Sequence, residues 1–366
     1  MRFSNNGKYL ASAGDDQTII IWTLKMRPLE LGLSEEGILW SVHKLLRGHS
    51  GDIFDLCWSD DSNYIVTGSV DNTAIVWDIE KSNKGVISIK DHQNFVQGVS
   101  WCNDCLATQS ADRTVNIYSI KVLEKSEIKL KLIRKIKSYT IELDNLQKHP
   151  INFYLGEQNY PSFLRRLSWS PDGNILLSVA GINKNIDNTY ENVVWGYCKN
   201  NFDYPSFYLP TITPAICIRF NPYIFNKYLQ NENLEMISLP YTMIFAIGTK
   251  DSVIIYDTGN INPKCVISNI HYMPITDISW MNDKILAVSS SDGYITFISI
   301  SETYEKMMEI KNDGREYEHE FIKNKISERI TVSYNEISKN SKVKVINLNT
   351  VMMIKTKKSE INKNLD

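Results

Sequence analysis

The stretch Leu46–Asp78, LRGHSGDIFDLCWSDDSNYIVTGSVDNTAIVWD, decides the fold of this chain. It opens on Gly48-His49 and closes on Trp77-Asp78, with three short apolar runs between them. Clusters of Ser, Asp and Asn separate the runs and favour tight turns. Each run has the length and the β-rich composition of a strand. The three predicted strands are Ile53–Trp58, Tyr64–Thr67 and Ala74–Trp77.

Related units recur along the chain. A Gly-His start and a Trp-Asp end, in units of about 40 residues, are the signature of the WD repeat, whose sheets form the blades of a β-propeller. The first repeat is incomplete at its start, because it lacks the entering Gly-His and most of its first strand. The sequence therefore predicts an all-β propeller of about six blades, at residues 1–24, 46–80, 91–137, 162–199, 209–258 and 269–300.

Polar residues at fixed positions in two of these units predict a hydrogen-bonded tetrad. In the second repeat, we expect a His49–Asp71 hydrogen bond that is extended through Thr67 to the indole of a tryptophan. This chain of hydrogen bonds would satisfy buried polar groups and hold the turns. In the third repeat a tyrosine replaces the tryptophan, and its hydroxyl offers a related hydrogen bond. We predict a structural role for these residues, and no catalytic one. They are His49, Thr67, Asp71, Trp77, His92, Thr108, Asp112 and Tyr118.

Composition argues against several classes of function. The 366 residues include 40 Lys and Arg against 42 Asp and Glu, which argues against a wholly basic nucleic-acid binder. No apolar run is long enough for a membrane span, and the first residues already have strand character, so we expect neither a span nor a signal peptide. The sequence holds no phosphate-binding glycine loop, no paired metal histidines and no nucleophile elbow. We therefore predict a protein without enzymatic activity and without a cofactor.

The six cysteines predict a reducing compartment and no metal site. Cys57 and Cys217 fall inside predicted strands, where they are expected to be reduced core thiols. Cys102 and Cys105 have the spacing of half a zinc site, but no second pair at a matching spacing follows.

Two further segments carry unusual charge. Lys121–Lys137 is basic and alternates with apolar residues, which favours an outer edge strand whose lysines discourage strand pairing, rather than a patch for DNA phosphates. Residues 301–366 form a highly charged tail that we expect to be partly disordered. Three of its segments are expected to be weak strands or to order only on a partner: Arg329–Tyr334, Val343–Leu348 and Val351–Ile354.

Several stretches carry a resemblance beyond the repeat itself. Generic repeats do not require Phe163-Leu164-Arg165-Arg166, Leu239-Pro240-Tyr241 or Asn269-Ile270-His271-Tyr272. Over about Met1–Ile300 the sequence resembles the family of WD-repeat subunits of chromatin assembly factor 1, relatives of the HIRA histone chaperones. The stretches that carry the resemblance are Ser69–Ile79, Phe95–Trp101, Ser162–Gly173, Ser238–Thr258 and Ser268–Trp280.

The resemblance implies a fold and a function. The family fold is a seven-bladed propeller, so we expect the first family blade to be missing from this chain. The implied protein is a nuclear scaffold that helps to deposit histones H3 and H4 on newly replicated DNA. Its implied partners are the large and small subunits of chromatin assembly factor 1, histones H3 and H4, and the anti-silencing histone chaperone. No membrane and no direct sequence-specific DNA binding are expected.

Residues that the blade repeat does not require are the candidates for partner binding. They are Arg165, Arg166, Tyr241, His271 and Tyr272. The two adjacent arginines point to opposite faces of a strand, and we expect them to contact a partner or a loop of a neighbouring blade. The family also docks on the anti-silencing chaperone through a short basic segment after the propeller. Here Arg329 and Ile330 match it in part, without the second basic residue before Arg329.

Two other functions fit the same fold. One is a generic propeller adaptor that presents peptides to an enzyme such as a ubiquitin ligase. The other is replication-independent histone deposition of the HIRA type, although HIRA proteins carry a long second domain after the propeller.

Overall fold

The structure, a computed structural model, describes residues 1–26, 38–81, 85–123, 128–141, 151–155, 163–184, 189–199, 201–227, 236–300, 344–345 and 352–355. Within these ranges the chain forms six β-sheets and no helix, so no helix there could cross a membrane. The fold is all-β, as the sequence predicts. By its contacts the chain divides into two compact units, Met1–Ile218 and Arg219–Asp366.

The first unit contains four sheets. Sheet 1 has the strand order β1 (Arg2–Phe3), β2 (Tyr9–Ala13), β3 (Thr18–Met26) and β4 (Ile38–Arg47). Sheet 2 has the order β5 (Ile53–Trp58), β6 (Tyr64–Ser69), β7 (Ala74–Asp78) and β8 (Ile87–Ile89). Sheet 3 consists of β9 (Val96–Cys102), β10 (Cys105–Ser110), β11 (Val115–Val122) and β12 (Ile128–Ile136), with β12 outermost.

Sheet 4 has six strands. They are β13 (Ser138–Ile141), β14 (Ile151–Leu155), β15 (Ser168–Trp169), β16 (Ile175–Lys184), β17 (Tyr190–Cys198) and β18 (Phe207–Thr211). The β13–β14 hairpin pairs with the far end of β16, at Gly181–Lys184, because β16 extends well beyond the short inner strand β15.

The second unit contains sheets 5 and 6. Sheet 5 includes β19 (Ala215–Asn226), in which the boundary between the units falls, β20 (Tyr241–Thr249), β21 (Ser252–Asp257) and β22 (Cys265–Ser268). Sheet 6 includes β23 (Ile275–Trp280), β24 (Ile285–Ser290) and β25 (Tyr294–Ser299). Two tail segments join their edges: β26 (Lys344–Val345) pairs with β22, and β27 (Met352–Lys355) pairs with β25.

Three expectations about strands have different outcomes. The prediction of an outer edge strand in Lys121–Lys137 is confirmed, since β12 pairs only with β11 among the described residues. The first sheet extends past the predicted limit of residue 24, because Ile38–Arg47 pairs with β3 along its whole length. Most of the tail, including Arg329 and Ile330, lies outside the described residues, yet β26 and β27 fall close to two of its three predicted strands.

In the first unit, each sheet buries apolar side chains against the next one. Between sheets 1 and 2, the Tyr9 and Trp58 rings stack at 6.2 Å, and between sheets 2 and 3 Tyr64 and Trp101 stack at 6.0 Å. Strand β9 of sheet 3 and the segment leading into β15 of sheet 4 approach so closely that a Cβ on Gly98 would lie 1.9 Å from the Arg165 carbonyl oxygen. Glycine at this position is therefore required by the packing of the two strands.

Candidate functional site

The tetrad of sheet 2 is complete. The His49 ring contacts the Asp71 carboxylate through Nδ1 and the Thr67 hydroxyl through Nε2, both at 2.8 Å. The Trp77 indole donates to the same hydroxyl at 2.8 Å. Asp71 also accepts from the Ser50 amide at 3.0 Å and the Thr73 hydroxyl at 2.7 Å. This one carboxylate thus holds the β6–β7 turn against the segment that enters the sheet.

Sheet 3 repeats the arrangement with one change. The His92 ring contacts Asp112 through Nδ1 at 3.1 Å and Thr108 through Nε2 at 2.7 Å. The buried Tyr118 hydroxyl donates to the Asp91 carboxylate at 3.0 Å and accepts from the Asn116 amide at 3.2 Å. The tyrosine therefore ties the third strand to the residue before the histidine, a partner that the sequence does not identify.

Sheet 6 keeps only half of the tetrad. His271 Nδ1 contacts the Asp292 carboxylate at 3.1 Å, as in the other two sheets. Its Nε2 is buried and has no hydrogen-bond partner among the described residues, because the fully buried Val288 stands where Thr67 stands in sheet 2. Ile298 replaces the tryptophan, so no indole is present to need the missing hydroxyl.

The electrostatics of the sheet 2 tetrad favour a neutral His49 imidazole beside the Asp71 carboxylate. Burial lowers the pKa of His49, which outweighs its contacts with Asp71. Burial by itself would raise the pKa of Asp71, but the hydrogen bonds from Thr73, Ser50 and His49 outweigh it and hold that pKa below its usual value. The pKa of Asp112 is lowered in the same way, by its bonds to His92, Thr114 and Gln93. Such groups hold turns and have no open face for a substrate.

The structure places the predicted partner-binding residues in very different surroundings. Arg165 is 2% exposed, and its guanidinium reaches the Ser110 carbonyl of sheet 3 at 3.4 Å. Tyr241 is 7% exposed, and the His271 side chain is 1% exposed. For these three, the expectation of a partner-binding surface needs correction, because their side chains are enclosed by the fold. Tyr272 is 94% exposed, so its side chain is accessible to a partner protein.

Arg166 belongs to a charged network that the sequence does not reveal. The Asp55 side chain is 3% exposed, and its carboxylate lies 3.4 Å from Arg166 Nε and 3.8 Å from Arg2 Nη2. It also accepts from the Val99 amide at 3.1 Å. The four residues come from the inner strand, or the segment leading into it, of four different sheets. Arg219 and Asp277 repeat one part of this network in the second unit, at 3.4 Å.

Beside this network lies an exposed aromatic cluster, formed by Phe54, Phe95 and Phe163. Phe163 contacts Phe54 edge-on at 4.6 Å between ring centroids and Phe95 at 6.2 Å, and it stays 51% exposed. The Gln97 amide donates to the Phe163 carbonyl at 2.6 Å, and its own buried oxygen has no partner in the part of the chain that the structure describes. Arg166 donates to the Phe54 carbonyl at 3.0 Å. An exposed aromatic ring on a rigid base suits the docking of a protein segment.

Sequence reasoning missed this cluster because its three phenylalanines come from separate repeats and occupy two different repeat positions. The available signal was the place of Phe163 in a stretch that carries the family resemblance. The described residues contain no group of His, Cys, Asp and Glu placed to hold a metal ion. All six cysteines are free, and burial raises the pKa of Cys57 to about 12.

The sheets and tetrads can now be compared with known proteins. A model of the CAF1B/HIR1 beta-propeller domain matches residues 1–304. The chain belongs to the CAF1B/HIR1 β-propeller family. The six sheets are accordingly blades of a propeller.

Relatives within the family carry two different names. A chromatin assembly factor 1 subunit of Gallus gallus is 35% identical over 332 residues, which cover 84% of this chain and 55% of that protein. The subunit of the same name from Saccharomyces cerevisiae is 33% identical over 82% of this chain and 70% of the yeast protein. Protein HIR1 of Gibberella zeae is 27% identical over 82% of this chain and 28% of its own length. The chain thus spans about half of the chicken relative.

Proposed function

We propose that this chain is a scaffold subunit of a chromatin assembly factor 1 complex, which assists the deposition of histones H3 and H4 on newly replicated DNA in the nucleus. The observation that carries the proposal is the difference in identity: four relatives named as chromatin assembly factor 1 subunits are 33–36% identical and a fifth is 28% identical, and three relatives named HIR1 are 27% identical. The action is binding and not catalysis.

The proposed partners are the large and small subunits of the factor, histones H3 and H4, and the anti-silencing histone chaperone. The surface that supports a binding role is the aromatic cluster of Phe54, Phe95 and Phe163, with Tyr272 as a separate exposed ring in the second unit. Exposed aromatic residues are typical interface anchors. Docking of the anti-silencing chaperone at Arg329 and Ile330 stays part of the proposal.

Co-purification tests the proposal. The tagged chain is co-expressed with the large and small subunits, and the complex is then offered histones H3 and H4. We expect the large subunit to be retained. Phe163→Ala should weaken that retention by about thirtyfold or more, equivalent to at least about 2 kcal/mol. Lys284→Ala, an exposed site in sheet 6, serves as the control.

Two outcomes would redirect the assignment. Retention of the HIR-type subunits instead of the large subunit would support replication-independent deposition. If a chain that melts cooperatively retains neither the large subunit nor the HIR-type subunits, a role in histone deposition is contradicted and a general peptide adaptor is supported.

A further inference from the structure

The outer edge of sheet 3 has an unusual combination of properties. Its strand β12 is nine residues long, and among the described residues it pairs only with β11. The corresponding outer strand of sheet 2, β8, has three residues, and that of sheet 1, β4, has ten, so it is the combination of length and charge that distinguishes β12. A long edge strand presents a row of backbone N–H and C=O groups to which another strand can pair, and proteins usually keep such edges short.

The charge on this edge has one sign. The described residues from Lys121 to Lys137 include no Asp or Glu. Lys121 lies directly opposite Lys129 in the register of β11 and β12, a like-charge pair that destabilises the sheet when nothing compensates it. The basic residues are Lys121, Lys129, Lys131, Arg134, Lys135 and Lys137.

Part of this charge is neutralised within the fold and part is not. Arg134 forms an ion pair with Asp203 at 3.0 Å, and Lys135 donates to the Asp91 carbonyl at 3.2 Å. Lys121, Lys129 and Lys131 make no ion pair or hydrogen bond from their side chains to the described part of the chain. Lys129 and Lys131 lie on the outer strand and Lys121 lies beside them on β11, so the three lysines form a positive row along this edge of the sheet.

Apolar side chains are exposed beside that row. Leu132 and Ile133 are 41% and 46% exposed, and Val122 is 48% exposed. A nucleic acid would satisfy the lysines through its phosphates but would leave these apolar side chains in water. An extended peptide with both acidic and apolar residues satisfies the lysines, the apolar side chains and the open backbone groups together.

We propose that β12 is a docking edge for an acidic, partly apolar segment of a partner protein, which adds to sheet 3 as a further strand. Its carboxylates lie against Lys121, Lys129 and Lys131, and its apolar side chains contact Leu132 and Ile133. Backbone pairing supplies affinity, and the lysine row supplies selectivity for negative charge. The inference does not depend on the proposed role in histone deposition.

The test uses a labelled synthetic peptide in which glutamate and valine alternate, titrated with the full chain at physiological salt. We expect saturable binding, and amide hydrogen exchange that slows in Ile128–Ile136 when the peptide is bound. Lys129→Glu combined with Lys131→Glu should weaken binding at least about tenfold, because the carboxylates then meet like charges. Lys250→Glu combined with Lys284→Glu makes the same change of charge in the second unit and should leave the affinity unchanged.

Two peptides N-methylated on alternate residues distinguish strand pairing from simple charge attraction. Only one edge of an added strand faces β12, so one methylated peptide should bind and the other should not. Equal binding of both would overturn strand addition. A short DNA duplex serves as the second probe. If the duplex binds the wild type but not the Lys129–Lys131 variant, and the peptide binds neither protein, the edge is a phosphate-binding patch and the proposal is overturned. Absence of binding by both probes would equally overturn it and leave a solvated edge.

Discussion

At the scale of single residues, His271 shows what one missing hydroxyl does. Its Nδ1 contacts Asp292, and within the described part of the chain no hydrogen-bond partner reaches its buried Nε2. A buried polar atom without a partner costs about 1–3 kcal/mol. In sheet 2 the hydroxyl of Thr67 contacts the equivalent nitrogen of His49, and in sheet 6 that position is Val288.

Val288→Thr should therefore stabilise the protein, by up to about 1 kcal/mol, because the new hydroxyl can donate to His271 Nε2. Urea denaturation measures the change. Val66→Thr is the matched control, since Val66 is equally buried in sheet 2 and its neighbouring tetrad already has its hydroxyl. We expect that control to destabilise. A loss of stability at both positions would show that the His271 nitrogen is not short of a donor.

At the scale of strands, Asp55 holds the inner strands of the first unit together. Asp55→Ala removes the charge that Arg2 and Arg166 share and leaves the Val99 amide without its acceptor. Loss of one partner from a buried ion pair costs about 3–5 kcal/mol. Asp277→Ala, at the equivalent position of sheet 6, should cost less, because the Asp277 side chain is 22% exposed and water can replace its contacts. Chemical denaturation of both variants checks the order, and a larger loss at Asp277 would contradict it.

The fourth strand of sheet 6 makes a second prediction at this scale. Met352–Lys355 pairs with Tyr294–Phe297, so proline at Met353 or at Ile354 removes an N–H at one of two adjacent ladder positions. Because successive N–H groups point to opposite sides of a strand, one of the two prolines should disturb the pairing more. Amide hydrogen exchange at Tyr294–Phe297 should become faster in that variant. Unchanged exchange in both variants would mean that β27 contributes nothing to the sheet.

At the scale of the whole molecule, the tetrads make stability depend on pH. The pKa of His49 is lowered by burial, so the unfolded chain binds its proton more readily, and stability should fall as the pH drops below about 6.5. The pKa values of Asp71 and Asp112 are held below their usual value, so their contribution is present above about pH 4 and is lost as the pH falls further.

Urea midpoints measured across this range should thus decline in two stages. The first stage has a slope of at most about 1.4 kcal/mol per pH unit, the value for one proton. His49→Gln should abolish that first stage and leave the acid stage in place. If the first stage survives in this variant, His49 is not the group that titrates.

How much of the fold and of the candidate site the sequence predicts depends on whether the interactions are local to a repeat. The turn residue Asp71 and the aromatic Trp58 act within one repeat or toward the next, so spacing alone indicated the sheets and the tetrads. The burial of Arg165 and Tyr241 was not predictable, because blades are covered on both faces and strand alternation then no longer separates inside from outside. The role of Met352–Lys355 was hidden for another reason, since only the open edge of β25 determines where that segment pairs.

The open edge of β25 affects the protein while it is being synthesised. About 50 residues separate the end of β25 from the start of β27, and a ribosome adds roughly 5–20 residues per second. Each newly made molecule therefore holds sheet 6 with three strands for roughly three to ten seconds before its own fourth strand is synthesised. During that interval any extended segment in the cell can compete for the edge of Tyr294–Ser299, and the nascent chain stays exposed to mispairing until Met352–Lys355 has left the ribosome.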